Sequence, residues 1–343
     1  MNKNLHWVNA VRILCMIFVF FNHSEIYCNY YIESLDKIYQ PFFVNAFFFV
    51  SGYLLFRKQL NDDVIRLHTK EWMSNWGGQY LLNVLFKLVI PSLFFAFLIH
   101  FPKVYLRGME FDENELIADT LLGRSTWFTS ALTVAQLLIF VLLLFRVKNI
   151  WFYTVSGFIL LLSANFIYDS GIVFYNDNLV PWHYKAGMSA VVVMSFGGLY
   201  SIYEEKIDSF LRGYRIIPIV ILFFICAFIC KDNVCLNWGP ITLKSLSLVI
   251  LGSYCFVRLC KLLPQKKFID YWGVRSISLY FLCGAFPNAY AILFGKIMTP
   301  SLGMLFVVFL SSFITVVGVA YLLNEYLPFV YDLRKLKKDN STK

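Results

Sequence analysis

Long apolar runs follow one another along the whole chain, and short polar segments separate them. A helix needs ~20 apolar residues to cross the hydrocarbon core of a bilayer. The pattern predicts ten such spans, at residues 9–30, 38–57, 80–101, 126–146, 150–168, 186–203, 215–231, 241–260, 275–295 and 302–325. We therefore expect an all-α, polytopic membrane protein with a single transmembrane domain, residues 1–343, and a short tail from about 328.

The charges in the polar segments indicate which side of the membrane each segment faces. If the N-terminus is cytoplasmic, that side carries most of the basic residues, namely Lys3, Arg57, Lys58, Arg66, Lys70, Arg146, Lys148, Lys206, Arg212, Arg215, Arg258, Lys261, Lys266, Lys267 and the tail. The opposite side carries few basic residues but an acidic group, Glu110, Asp112, Glu113, Glu115 and Asp119. Because cytoplasmic loops are enriched in Lys and Arg, both termini are predicted to be cytoplasmic.

Composition leaves little room for a sizeable soluble domain. Only 15% of the residues are charged, against about 25% in an average soluble protein, and the mean hydropathy is +0.64. The net charge of +9 does not indicate nucleic-acid binding, because the basic residues are spread over the short segments between spans. The eight cysteines form no CxxC pair and no Cys/His cluster, so no metal site is predicted. A disulfide between Cys230 and Cys235 is an open alternative if their loop is extracytoplasmic.

The first span, from Asn9 to Glu25, carries two residues that are costly to keep in a membrane. Arg12 and His23 are eleven positions apart, which places them within ~20° on one helix face and ~16 Å apart along the axis. Each has an ordinary interpretation, since an Arg near a membrane boundary extends to lipid phosphate and a lone His often bonds between helices. Their shared face favours a site that runs along this helix, because polar residues within spans usually face a cavity or a partner.

Other polar and aromatic residues are weaker candidates. Glu25 is two positions from His23, so it is expected to point away and to be a solvated acid at the outer rim. Tyr27 either lines a pocket or is an interfacial aromatic residue. Ser51 either packs helices closely together or lines a channel. Trp127 either belongs to the outer aromatic belt or stacks on a bound ligand.

Four stretches, in order, resemble the motifs of one family. The first is the pair Arg12-x10-His23. The others are NAFFFVSGYLLF from Asn45, STWFTSALTVAQLL from Ser125 and WGVRSISLYFL from Trp272. Together they resemble the acyltransferase family 3 integral-membrane proteins, and the resemblance covers nearly the whole chain. Two departures are that Cys283 stands where the family often has His, and that the basic residues around the third helix are sparse.

The resemblance implies transfer of an acyl group, usually acetyl, from cytoplasmic acyl-CoA to a hydroxyl group. The implied acceptor is a sugar of a cell-surface glycan or its lipid-linked precursor, and no tightly bound cofactor is expected. The implied location is the lipid bilayer of a bacterial inner membrane, and an oligomer is an open alternative. Donor contacts are expected from Arg12, Arg57, Lys58 and Lys87. The candidates for lining the acceptor pocket or acyl channel are Tyr27, Ser51 and Trp127.

The two residues of the first span could divide the chemistry between them. A neutral imidazole, with a pKa of about 6.5, suits a base that removes the proton of an attacking hydroxyl, so we assign that role to His23. His23 could instead carry the acyl group briefly, and the sequence does not separate the two routes. The Arg12 guanidinium suits CoA phosphate. The second hypothesis is a transporter or flippase for a polar lipid or solute, although no inverted repeat is seen.

Overall fold

The computed structural model describes residues 5–60, 69–108, 110–170, 181–232, 234–236 and 240–335. Within these ranges the regular structure is helical throughout, so the predicted all-α class is confirmed. The last residues of the predicted tail, 336–343, lie outside the described part of the chain.

The helices follow the predicted spans along the chain. They are α1 (His6–Cys28), α2 (Glu33–Tyr39), α3 (Asn45–Gln59), α4 (Thr69–Trp72, Met73–Gly77, Gly78–Val84, Leu85–Val89 and Ile90–Arg107 in continuous succession), α5 (Glu113–Thr120), α6 (Trp127–Leu143), α7 (Ile150–Asp169), α8 (Tyr184–Phe210), α9 (Ile217–Ile229), α10 (Leu243–Lys261), α11 (Lys267–Val274), α12 (Ser276–Leu282), α13 (Ala285–Phe294) and α14 (Leu302–Tyr326).

The helices are those of a multi-pass integral membrane protein. In the described residues, six are long and apolar enough to cross a membrane, and α12 with α13, bent by 44° at their junction, can form a seventh crossing. Trp127–Leu143 and Gly213–Ile229 are apolar but shorter. The count of ten crossings and the cytoplasmic location of both termini stay predictions.

Helix α1 lies at the centre of the bundle. It packs against α3, α10, α11, α12, α13 and α14, and most of its apolar residues are buried. Its contact with α11 is close, because a Cβ on Gly273 would lie 2.4 Å from the Cβ of Asn9. The helix runs without a break from His6 to Cys28, so Arg12 and His23 keep their shared face.

Helix α8 is the second packing centre, and it contacts α3, α6 and α7. Two glycines bring α3 and α8 together: a Cβ on Gly52 would lie 1.9 Å from the carbonyl oxygen of Met194, and one on Gly197 would lie 1.9 Å from that of Phe49. The close packing expected around residue 51 therefore falls on Gly52.

Helix α4 contains two π-helical segments, Met73–Gly77 and Leu85–Val89. A π segment inserts an extra residue per turn and turns the following helix face relative to a regular α-helix. The second segment contains Lys87, one of the predicted donor-binding residues.

The structure corrects two expectations for the first two spans. Span 38–57 is divided, because α2 ends at Tyr39 and α3 begins only at Asn45. Glu25 is not a solvated rim acid: it is 0% exposed and accepts hydrogen bonds from the Tyr39 hydroxyl at 2.5 Å and the Ile32 N–H at 3.0 Å. The reason is that the chain turns back after α1, at Asn29, so α2 covers the face of α1 that carries Glu25. A helical wheel of α1 alone does not include this contact.

No disulfide joins the two loop cysteines, Cys230 and Cys235, in the described part of the chain. The alternative of a disulfide between them is therefore not supported.

The close contact between α3 and α8 predicts that adding one methyl group at Gly52 destabilises the protein. We expect Gly52→Ala to lower the free energy of unfolding by about 1–3 kcal/mol, because the new Cβ overlaps backbone that cannot rotate away. The measurement is thermal unfolding of the purified protein in detergent, followed by tryptophan fluorescence. Gly318→Ala is the control, since a Cβ there meets nothing within 4 Å. Equal unfolding temperatures for both variants would contradict the close approach.

Candidate functional site

A wide cavity with a basic lining, here called the basic cavity, surrounds the Arg12 end of α1. Its volume is ≈ 550 Å³. Its polar and charged lining residues are Arg12, Ser51, Lys87, Gln136, Arg275, Ser276, Ser278, Asn324, Asp332 and Lys335. The one carboxylate among them, Asp332, is paired with Arg334 at 2.7 Å, so the four cations give the cavity an excess of positive charge. No hydrogen bond or ion pair to Arg12 is found within the described ranges.

A second, much smaller cavity lies at the His23 end of the same helix face. Its volume is ≈ 20 Å³, room for about one water molecule. It is lined by Val19, Asn22, His23, Phe43, Val44, Phe47, Trp127, Phe128 and Tyr280, and we call it the aromatic neck.

A third cavity, the apolar cavity, adjoins the neck and has a volume of ≈ 550 Å³. His23 and Trp127 line both the neck and this cavity. The remaining wall comes mainly from α4, α12, α13 and α14 and is predominantly hydrophobic. His23 thus stands where the neck meets the apolar cavity.

Tyr280 lines all three cavities. Its hydroxyl oxygen accepts a hydrogen bond from the backbone N–H of Phe128 at 3.1 Å. Phe47 and Phe128 are shared by the basic cavity and the neck. The three aromatic side chains therefore form the partition between the Arg12 side and the His23 side.

The His23 ring is supported by stacking. It lies parallel to the Tyr27 ring, with centroids 6.0 Å apart and planes at 15°. No hydrogen-bond partner of His23 is found in the described part of the chain. Beside it, Asn22 donates to the Tyr39 hydroxyl at 3.0 Å, and that hydroxyl donates to Glu25. The imidazole nitrogens are therefore available to a substrate.

Comparison with known proteins matches residues 5–325 to the family model described as an acyltransferase domain, acyltransferase family 3. The chain belongs to this family. It is a multi-pass membrane acyltransferase, and the predicted family resemblance is confirmed over nearly its whole length. No curated protein and no solved structure matches the chain.

The acyltransferase brings most of the predicted site residues to the three cavities. Arg12, Lys87 and Ser51 line the basic cavity, and Trp127 and Tyr27 line the apolar cavity together with His23. The catalytic and binding roles of these residues stay predictions.

Two predicted donor-binding residues lie elsewhere. Arg57 donates to the Tyr53 hydroxyl at 2.6 Å, and that hydroxyl donates to Glu204 at 2.5 Å. The Lys58 ammonium lies over the Trp76 ring, 3.9 Å from its centroid. Neither is among the residues that line the basic cavity, because the last turn of α3 directs them toward α8 and α4. Their placement gives no support to a role in donor binding.

Three residues that join the site were not singled out for it from the sequence. Arg275 lies in the motif WGVRSISLYFL, and it contributes one of the four cations of the basic cavity. Lys335 belongs to the basic tail and contributes another. Tyr280 lies in the motif WGVRSISLYFL, so its motif was the available signal. Cys283, at the position that is often His in the family, is buried in the wall of the apolar cavity.

A fourth, polar cavity of ≈ 420 Å³ adjoins the apolar cavity, and Lys103 lines both. At its base, Asp119 accepts hydrogen bonds from His100 at 3.0 Å, Lys103 at 2.8 Å and Arg124 at 2.8 Å. Arg124 also pairs with Glu115. Burial alone would raise the pKa of Asp119, but these hydrogen bonds outweigh burial and lower the pKa to about 2. Asp119 therefore stays ionised and ties α5 to α4.

The Asp119 cluster predicts a pH-dependent contribution to stability. Because the pKa of Asp119 is depressed in the folded protein, its stabilisation is complete above pH ~4 and is lost as the pH falls toward 2. Asp119→Ala should lower the free energy of unfolding by roughly 3 kcal/mol at pH 7, because Lys103 and Arg124 lose their ion pairs with this buried carboxylate. Unfolding temperatures from pH 8 to pH 3 would measure the difference.

The expected difference between wild type and Asp119→Ala is constant above pH 5 and shrinks below pH ~4. Glu113→Ala, an exposed change on the same helix, is the control. A difference that persists unchanged at pH 3 would rule out the carboxylate as its source.

Proposed function

We propose that this acyltransferase moves an acetyl group from acetyl-CoA to a hydroxyl of a cell-surface glycan or its lipid-linked precursor, in a bacterial inner membrane. The observation that carries the proposal is the arrangement along α1. Arg12 lies in a basic cavity, and His23 lies beyond an aromatic partition on the same helix face. The two substrates of an O-acyl transfer, the anionic donor and the acceptor that carries the hydroxyl, would then both contact α1.

The basic cavity suits the donor. CoA carries several phosphates, and guanidinium and ammonium groups are the side chains that bind phosphate. Arg12, Lys87, Arg275 and Lys335 supply four such groups around one cavity. The ~16 Å between Arg12 and His23 is a distance that an extended pantetheine arm can span. With the phosphates at Arg12, the thioester enters the neck.

His23 is the group that would handle the proton. It takes the proton of the acceptor hydroxyl as the hydroxyl oxygen attacks the thioester carbonyl carbon, forming the new C–O bond. When the C–S bond breaks, the CoA thiolate receives that proton, so the products are the ester and CoA thiol. In the other route His23 first accepts the acyl group and then passes it to the hydroxyl, and this alternative stays open.

Tyr280 is placed to assist at the carbonyl. Its oxygen accepts the Phe128 N–H at 3.1 Å, which fixes the hydroxyl group at the wall of the neck. A donor beside the neck stabilises the negative charge that develops on the carbonyl oxygen during attack. Tyr280 can take this role from its present position, because it lines both the basic cavity and the neck that contains His23.

Transport of a polar solute or lipid has less support. The neck of ≈ 20 Å³ is too small for a sugar or a headgroup, and it lies between the two larger cavities. The family membership likewise favours acyl transfer over transport.

Removing the base tests the central assignment. We expect His23→Ala and His23→Gln to reduce acetyl transfer by ~10²–10⁴-fold, because neither side chain accepts the hydroxyl proton. The measurement is acetylation of surface glycan in cells at matched expression, together with CoA release by the purified protein. His6→Ala, on the same helix and outside the cavities, is the matched control. Normal acetylation with His23→Ala would remove this mechanism.

Removing the donor cation gives a different kinetic signature. Arg12→Ala should raise the KM for acetyl-CoA ~10- to 100-fold with a smaller change in kcat, because it removes a charge-assisted bond that ground and transition states share. Arg12→Lys should recover only part of the loss, since the ammonium lacks the bidentate fork. Arg215→Ala, an exposed change away from the cavities, is the control. An unchanged KM for Arg12→Ala would place the CoA phosphates elsewhere.

A further inference from the structure

The apolar cavity meets the outer surface of the bundle along α4. Leu98 and Leu106 line the cavity, and they are also 51% and 41% exposed. The same helix exposes Phe94, Phe97, Phe101 and Tyr105. In a membrane protein, such a surface faces the hydrocarbon chains of the lipids. The cavity is therefore placed to exchange its contents sideways with the bilayer.

The inside of the apolar cavity is graded in polarity. Next to the neck it carries His23, Tyr27, Ser125 and Thr126. The rest of its wall is mainly apolar and includes Phe95, Leu98, Ile99, Phe281, Phe286 and Leu323, with Asn288 and Lys103 as polar exceptions. A hydrophilic glycan would lose hydrogen bonds to water against such a wall without replacing them. A molecule with a hydroxyl at one end and a hydrocarbon chain at the other matches both parts.

The adjoining polar cavity extends this match. Lys103 lies between the two cavities, and beyond it the side chains of Glu110, Asp112 and Glu115 offer hydrogen-bond acceptors. Sugar hydroxyls of a headgroup would find partners there.

We propose that the apolar cavity is the acceptor site and that it holds the hydrocarbon chain of a lipid-anchored sugar, whose hydroxyl is thereby held at His23. This inference rests on the proposed function and narrows its acceptor to the lipid-linked class. A long acyl chain of the donor is the competing occupant. Such a chain would pass His23 through the neck and fill the cavity, leaving no room in it for an acceptor.

Gly284 allows the cavity to be filled without disturbing the fold. It lines the apolar cavity, its φ is −86°, and a Cβ on it would meet nothing within 4 Å. Gly284→Leu therefore adds a side chain in open space. Gly318→Leu is the matched control, because a Cβ there also meets nothing within 4 Å and Gly318 lines none of the four cavities described above.

The first experiment uses the full-length protein in lipid nanodiscs with acetyl-CoA and three acceptors: methyl, octyl and dodecyl β-glucoside. The proposal expects kcat/KM for dodecyl glucoside to exceed that for methyl glucoside by tenfold or more, since each buried methylene favours binding. It expects Gly284→Leu to lower dodecyl glucoside acetylation roughly tenfold and methyl glucoside acetylation less than twofold, with Gly318→Leu resembling wild type. Partitioning of the glucosides into lipid is the same for wild type, Gly284→Leu and Gly318→Leu. A difference between these proteins in the ratio of dodecyl to methyl glucoside acetylation therefore reports on the cavity.

The second experiment measures binding without turnover. A dodecyl glucoside with a brominated chain should quench tryptophan fluorescence, because Trp127 lines the cavity, and Gly284→Leu should remove this part of the quenching. Quenching that Gly284→Leu removes, without acetylation of any glucoside, would support the chain site while contradicting the proposed function.

Two results would overturn the chain site and leave the proposed function standing. The first is acetylation of methyl and dodecyl glucoside with equal efficiency in wild type and Gly284→Leu. The second is a loss of octanoyl transfer from octanoyl-CoA in Gly284→Leu with acetyl transfer unchanged, which would assign the cavity to the donor chain.

Discussion

The cost of holding Arg12 and His23 on an apolar helix is the constraint on which the arrangement of the bundle depends. Charged and polar side chains inside a membrane need a cavity or a partner. The helices around α1 meet that need with cavities, because they leave the basic cavity around Arg12 and the neck and apolar cavity around His23. The rest of α1 is covered by six neighbouring helices. The same packing that buries the helix thus leaves its polar face accessible at two depths.

Close helix packing makes this arrangement rigid. Gly52 and Gly197 bring the backbones of α3 and α8 into contact, and Gly273 does the same for α11 and α1. On α3, the residue before Gly52 turns the other way, so Ser51 lines the basic cavity. The close packing that was one interpretation of this pair is made by Gly52, whereas Ser51 borders the basic cavity. A role of Ser51 in lining an acyl channel stays a prediction.

Helical periodicity was sufficient to place Arg12 and His23 on one face of α1, because the helix is continuous. It could not predict Glu25 correctly, since the environment of that residue depends on α2, which folds back after Asn29. Periodicity also could not predict that Lys87 lines the basic cavity while Arg57 does not. The position of Lys87 depends on a π-helical turn, and that of Arg57 depends on a hydrogen bond to the Tyr53 hydroxyl. Tyr280 became visible as part of the site only once α12 was seen beside α1 and α6. Residues that act between helices are missed by reasoning that treats each helix alone.

The aromatic neck also bears on the energy balance of the membrane itself. A protein with one cavity on each side of a thin partition risks becoming a leak for protons and other ions, and each leaked charge dissipates part of the membrane potential. Phe47, Phe128 and Tyr280 border the neck, which has room for about one water molecule between the basic cavity and the apolar cavity. A hydrated ion is larger than this space, so the neck offers it no open path. The aromatic partition therefore keeps the two larger cavities apart, which limits ion leakage between them.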